Sequence, residues 1–180
     1  MSIRIRLSLL LIIAGSIVYL PSFAQVGGWN PNLVKESTDA LNLMLKDQPK
    51  LKTFKNECFG FAIFPKVTKG GVGIGAALGT GIVYKGGAEV GLTRLKQASI
   101  GFQLGGQQYS ELIFFQNKAA YEDFINGKMK FDAQVSAVAI KSGVSLDASY
   151  QEGVAVFTRT LGGLMYQASV GGQYFKFEPK

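Results

Sequence analysis

Gly60–Val83, GFAIFPKVTKGGVGIGAALGTGIV, decides how this chain is read. Its opening, Gly60 to Phe64, is apolar on both alternating faces, with Phe61 and Ile63 one way and Ala62 and Phe64 the other. Such a strand sits inside a sheet with something packed over each side. Pro65 is expected to end it, and Lys66 to Gly70 to form a polar turn. Gly71, Gly73 and Gly75 then alternate with Val72, Ile74 and Ala76, which as a strand gives one face of aliphatic groups and one with no side chains. A bare face weakens a strand unless a backbone, an aromatic ring or a ligand lies against it. The expectation is a glycine-lined sheet surface sheltered by a close neighbour.

The 24 residues at the front read differently. Arg4 and Arg6 make a basic start, Leu7 to Leu20 is apolar, and Pro21-Ser22-Phe23-Ala24 resembles a small-residue cleavage site. That is the pattern of a secretory signal peptide, and the run is short against the ~20 residues a bilayer span needs. Cleavage after Ala24 would leave an exported chain starting at Gln25, periplasmic or extracellular. Without Arg4 and Arg6, 17 basic and 12 acidic residues remain, a net charge of +5. A positive balance suits an anionic partner. For an exported chain that partner is a phospholipid surface rather than a nucleic acid. Cys58 is the sole cysteine, so the fold stands without an intramolecular disulfide, and the thiol reads as a small buried hydrophobe.

Residues 25–57 read as a helical segment. Asn30-Pro31 is a capping start. Leu33, Ser37, Ala40, Leu41, Met44 and Leu45 share one helical face, with Lys35, Glu36, Asp39, Asn42 and Lys46 on the other. Pro49 stops this helix, and a shorter one is expected over Lys50 to Asn56. Residues 58–180 read as a Gly-rich β domain. Gly81–Lys85 and Ala88–Leu95 form a hairpin around Gly86-Gly87. Further strands are expected at Ser99–Leu104, Glu111–Gln116, Ala133–Lys141, Val144–Tyr150, Val154–Thr158, Leu164–Val170 and Tyr174–Phe177. Between them Asn117 caps a helix, Lys118–Ile125, that ends at Gly127. The class is α+β: a curled antiparallel sheet, barrel- or sandwich-like, with N-terminal amphipathic helices and one mid-chain helix. No shift in composition separates a second domain, so 25–180 reads as one unit.

The chain has no histidine, which removes Ser-His-Asp and Cys-His nucleophile arrangements. One cysteine and scattered acids give neither zinc spacing nor a calcium loop. A dinucleotide fingerprint on Gly73-Ile74-Gly75 would need its third glycine where Leu78 stands, and no Gly-Lys-Ser/Thr closes a phosphate loop. No catalytic residue, metal or cofactor is expected, and the reading is non-enzymatic.

Four ordered stretches carry a resemblance. They are Gly60-Phe61-Ala62-Ile63-Phe64-Pro65; Lys69 to Gly75 followed by Gly79-Thr80-Gly81; Gly101-Phe102-Gln103-Leu104-Gly105 running on to Phe114; and Gly163-Leu164 through Gly171. In that order they resemble the SYLF lipid-binding domains of bacterial exported proteins and of eukaryotic trafficking and actin-associated proteins. The resemblance implies phospholipid or phosphoinositide binding with an N-terminal amphipathic helix, and actin binding in some eukaryotic members. On that footing Lys50, Lys52, Lys55, Lys66 and Lys69 are expected to hold headgroup phosphates. Leu41, Met44 and Leu45 are expected to insert into or cover acyl chains. The alternative is a structural or protein-binding envelope module, its protein partner unknown, whose lysines are merely solvated.

Overall fold

A computed structural model describes residues 30–72, 74–100, 106–129, 131, 138–139, 150–162 and 172–180. The front expectation over residues 1–24, most of the strands expected at 133–141 and 144–150, and the whole of 164–170 lie outside the described residues. The elements run α1 (Pro31–Asp47), α2 (Leu51–Glu57), β1 (Gly60–Val72), β2 (Ile74–Lys85), β3 (Ala88–Ile100), β4 (Gln107–Phe115), α3 (Lys118–Ile125), β5 (Val138–Ala139), β6 (Val154–Gly162) and β7 (Gln173–Pro179). The strands make one sheet in the order β5-β6-β4-β1-β2-β3-β7. Every pair is antiparallel except the short β5 against β6. The sheet is curled and not closed, as an α+β reading requires.

The helix starts follow from their caps. Asn30 Oδ1 accepts from Asn32 N–H at 3.0 Å with Pro31 next in line, and Asn117 Oδ1 accepts from Ala120 N–H at 3.0 Å. Each cap satisfies one of the first-turn amides that has no intrahelical partner. The Gly86-Gly87 turn has both residues at positive φ (57° and 82°), the twist a two-residue hairpin needs.

The sheet sorts its side chains into two cores. On the outer face α1 and α2 cover Phe61, Ile63, Ile82, Leu92, Leu112, Phe114 and Phe157 with Ala40, Leu41, Met44, Leu51 and Phe54. On the inner face α3 and the far edge strand pack on Ala62, Phe64, Val83, Ile113, Phe115 and Val156. The Phe124 ring of α3 bridges Phe115 of β4 and Phe175 of β7, with centroids 4.8 Å away on each side.

One expectation is corrected. β1 does not stop at Pro65, and Lys66–Gly70 is not a turn: the strand continues to Val72, and the reversal lies between Val72 and Ile74. Proline is tolerated because it sits in a bulge, where the register slips between Ile63 and Lys66 against β2 and between Phe64 and Val67 against β4. An amide hydrogen is not needed at an interrupted ladder position. The Pro65 carbonyl accepts from Ser110 Oγ at 2.8 Å instead. The bulge also exchanges the faces, so that Val67 and Lys69 continue the inner row while Lys66 and Thr68 turn outward. Gly71 and Gly75 pair beside the turn, Gly75 buried, and close neighbours also stand further along the ribbon at Gly79 and Gly81. A Cβ on Gly81 would stand 2.4 Å from the Ile63 carbonyl oxygen and 2.8 Å from Phe64 Cδ1, and one on Gly79 would stand 2.9 Å from Val67 Cγ2.

Candidate functional site

α1 crosses the outer face and leaves part of it open. Its Met44 is fully buried, and its C-terminal end is pinned where Arg159 Nε donates to Asp47 Oδ2 at 2.6 Å from β6. Beyond the N-terminal turn of α1 the outward residues of four strands fall into two cross-strand rows. The first is Lys66–Thr80–Arg94–Lys176 and the second is Thr68–Leu78–Lys96–Tyr174, on β1, β2, β3 and β7 in turn. Strand alternation places all eight on one face.

Between these rows and Leu33 and Glu36 of α1 lies an open groove of about 560 Å³. Lys66, Lys96 and Lys176 are exposed, Arg94 is half-buried, and Leu78 and Tyr174 keep 58% and 57% of their surface in solvent. Exposed apolar groups of this size set among cations are the unusual feature of the face, since isolated ones are ordinary but rows are not. Glu178 on β7 pairs with Arg94 and, at 3.4 Å, with Lys176. Desolvation alone would raise its carboxyl. The Arg94 hydrogen bond and charge, then those of Lys176, hold it below its ordinary value. Four cations against Glu178 and Glu36 leave the face positive.

The structure distributes the residues expected from the sequence. Lys66 lines the groove. Lys50, Lys52 and Lys55 are exposed on and beside α2, at the opposite end of α1. Lys69 is 6% exposed on the inner face, where burial pushes its ammonium below the usual lysine value. Leu41 and Met44 are buried against the sheet and Leu45 is partly buried, so reaching a bilayer requires α1 to lift. The five lysines are therefore not brought together. Cys58 is half-buried, its Sγ 3.4 Å from the Lys55 carbonyl it donates to, and burial pushes the thiol up.

Arg94, Lys96, Lys176, Leu78 and Tyr174 were not singled out by sequence. Their signal is weak: a cation at every second position (94 and 96), and an aromatic two before a lysine (174 and 176). Only strand pairing turns those separate pairs into rows.

Comparison with known proteins shows what the chain is similar to. Residues 96–179 match the family model described as Ysc84, Las17-binding protein actin regulator. That span is a little under half of the chain, which over it is similar to this family. The matched segment begins at Lys96 of the second row and runs through β4, α3 and β6 to β7. A curated relative, beta cell expansion factor A of Aeromonas veronii, is 25% identical over 155 residues, covering 81% of this chain and 59% of the relative. The chain thus spans about three fifths of the length of that relative.

Proposed function

We propose that this chain is a non-enzymatic module that binds anionic phospholipid surfaces of the cell envelope through the open outer face of β1, β2, β3 and β7. The observation that carries the reading is the pair of rows Lys66–Thr80–Arg94–Lys176 and Thr68–Leu78–Lys96–Tyr174. Basic groups beside an anionic bilayer contribute about 1 kcal/mol each, so a few on one face suffice for reversible docking. Leu78 supplies an apolar group for the acyl boundary, and Tyr174 an apolar body with a polar tip suited to the headgroup layer. An exported chain meets such a surface in the periplasm or outside the cell. The similarity of residues 96–179 to a family described as a Las17-binding actin regulator supports a binding module.

The test is flotation of the full chain with phosphatidylcholine vesicles, with and without phosphatidylglycerol, across ionic strength. Binding is expected only to the anionic vesicles, weakening with salt, and lost in a K66E/K96E double variant. Binding that ignores both salt and K66E/K96E but disappears in K50E/K52E/K55E would move the site to α2. An absence of binding at any ionic strength would leave a structural or protein-binding role.

A further inference from the structure

The inner face carries a second polar centre that membrane docking does not use. Glu111 of β4 is 0% exposed. Its Oε2 accepts from Gln173 Nε2 of β7 at 3.0 Å, although β1, β2 and β3 lie between those strands in the sheet order. Its Oε1 has no hydrogen-bond partner among the described residues, and neither do Gln173 Oε1 and the Thr158 hydroxyl. Thr158 is the direct cross-strand neighbour of Glu111, and Tyr109 precedes it by two on the same face. β7 is otherwise paired with β3 alone among the described residues.

We propose that Glu111 and Gln173 form a proton-held latch inside the curl: the neutral carboxyl keeps β7 drawn over β4, and loss of the proton releases β7. Among the described residues no cation stands ready to hold an anion there. The charged groups on the inner face among the described strands are Lys69, two cross-strand rows away, and Lys85, at the opposite end over the Phe59 and Tyr121 rings. The facing residues of β1, β6 and β7 are Phe64, Thr158 and Gln173, none of them charged. Tyr109 is the titratable neighbour, and burial, then the Glu111 charge, pushes its hydroxyl up and keeps it neutral. A desolvated carboxylate with one amide donor is costly, and the remedy is water. Admitting water requires the covering strand to move. Opening would uncover the aromatic wall of Phe64 and Phe175.

Burial pushes the Glu111 carboxyl up to about 7, with the Gln173 hydrogen bond opposing. An unfolded or opened glutamate titrates near ~4.3. The closed form therefore binds its proton more tightly. Its advantage is full below about 4.3, declines as pH rises toward 7, and is level above that.

Amide hydrogen exchange of the full chain at pH 5.5 and pH 8, corrected for intrinsic rates, reads the latch directly. Protection across Tyr174–Phe177 should fall roughly tenfold to thirtyfold at the higher pH, with a melting temperature about 4–8 °C lower. Glu111→Gln, which keeps an acceptor for Gln173 and cannot ionise, should make both flat. Unchanged protection in the wild type, or a retained pH slope in Glu111→Gln, overturns the proposal. Should that variant not fold, a carboxyl carbon titration of the wild type decides: a Glu111 midpoint near 4 overturns it, and one near 7 supports it.

Discussion

Phe64 of β1 and Phe175 of β7 lie with ring centroids 5.9 Å apart, although β2 and β3 separate their strands. Rings on strands three positions apart in a flat sheet would stand roughly 14 Å apart at the usual 4.7–4.9 Å spacing. They meet because the sheet bends, and the bend is permitted by what lies between them on the inner face. Gly81 sits beside the Phe64 bulge without a side chain, and Gly79 lies one row further on. The polar latch of Glu111 and Gln173 closes the same curl one strand further across.

Gly81→Ala therefore tests the curl at its hinge. The added methyl would meet the Ile63 carbonyl oxygen at 2.4 Å, a backbone atom that no rotamer change can clear. Overpacking of this kind costs about 1–3 kcal/mol, and a backbone obstacle puts the expected loss at the upper end. Gly70→Ala, with nothing within 4 Å of the new carbon, should change stability by less than about 0.5 kcal/mol. Urea denaturation of both variants gives the comparison. Equal midpoints for the two would mean that the glycine surface does not need its bareness.

How far the sequence discloses this arrangement depends on the range of the interaction concerned. The caps at Asn30 and Asn117, the Gly86-Gly87 turn and the amphipathic stripe of α1 are local, and each is legible within a few residues. The glycine alternation announces a sheltered surface but not the neighbours over it, such as Phe64 and Val67 at Gly79 and Gly81. Pro65 reads as a terminator since a bulge leaves no mark of its own in one strand. Lys69 and Lys66 look alike in sequence, yet strand alternation sends them to opposite faces, and the bulge decides which of them turns inward. The rows of the candidate site and the Glu111–Gln173 contact join residues 10 to 82 positions apart in pairs that only sheet order defines.

α3 stabilises the molecule as a plug more than as a helix. Phe124 touches Phe115 and Phe175 at once, so Phe124→Ala should cost about 3–5 kcal/mol, the range for deleting a buried aromatic ring. Asn117→Ala removes one capping hydrogen bond, at a cost of about 1 kcal/mol. Chemical denaturation should rank the two in that order. A cap variant as damaging as the ring variant would show that α3 matters through its own helicity.

Arg159→Ala separates a fixed helix from a swinging one. The Arg159–Asp47 pair holds the C-terminal end of α1 on β6, with both side chains about three-quarters shielded from solvent. Its removal should lower stability by about 1 kcal/mol, since pairs reached by water are weak. If docking uses the strand rows with α1 in place, affinity for anionic vesicles should stay within about twofold of the wild type once the lost cation is matched by an Arg159→Gln control. If Leu41 and Met44 have to leave the sheet to reach the bilayer, weakening the pin pre-populates the open form and binding should tighten several-fold. Vesicle titration at low salt distinguishes these outcomes. A tightening in both variants would transfer the membrane contact from the strand face to α1.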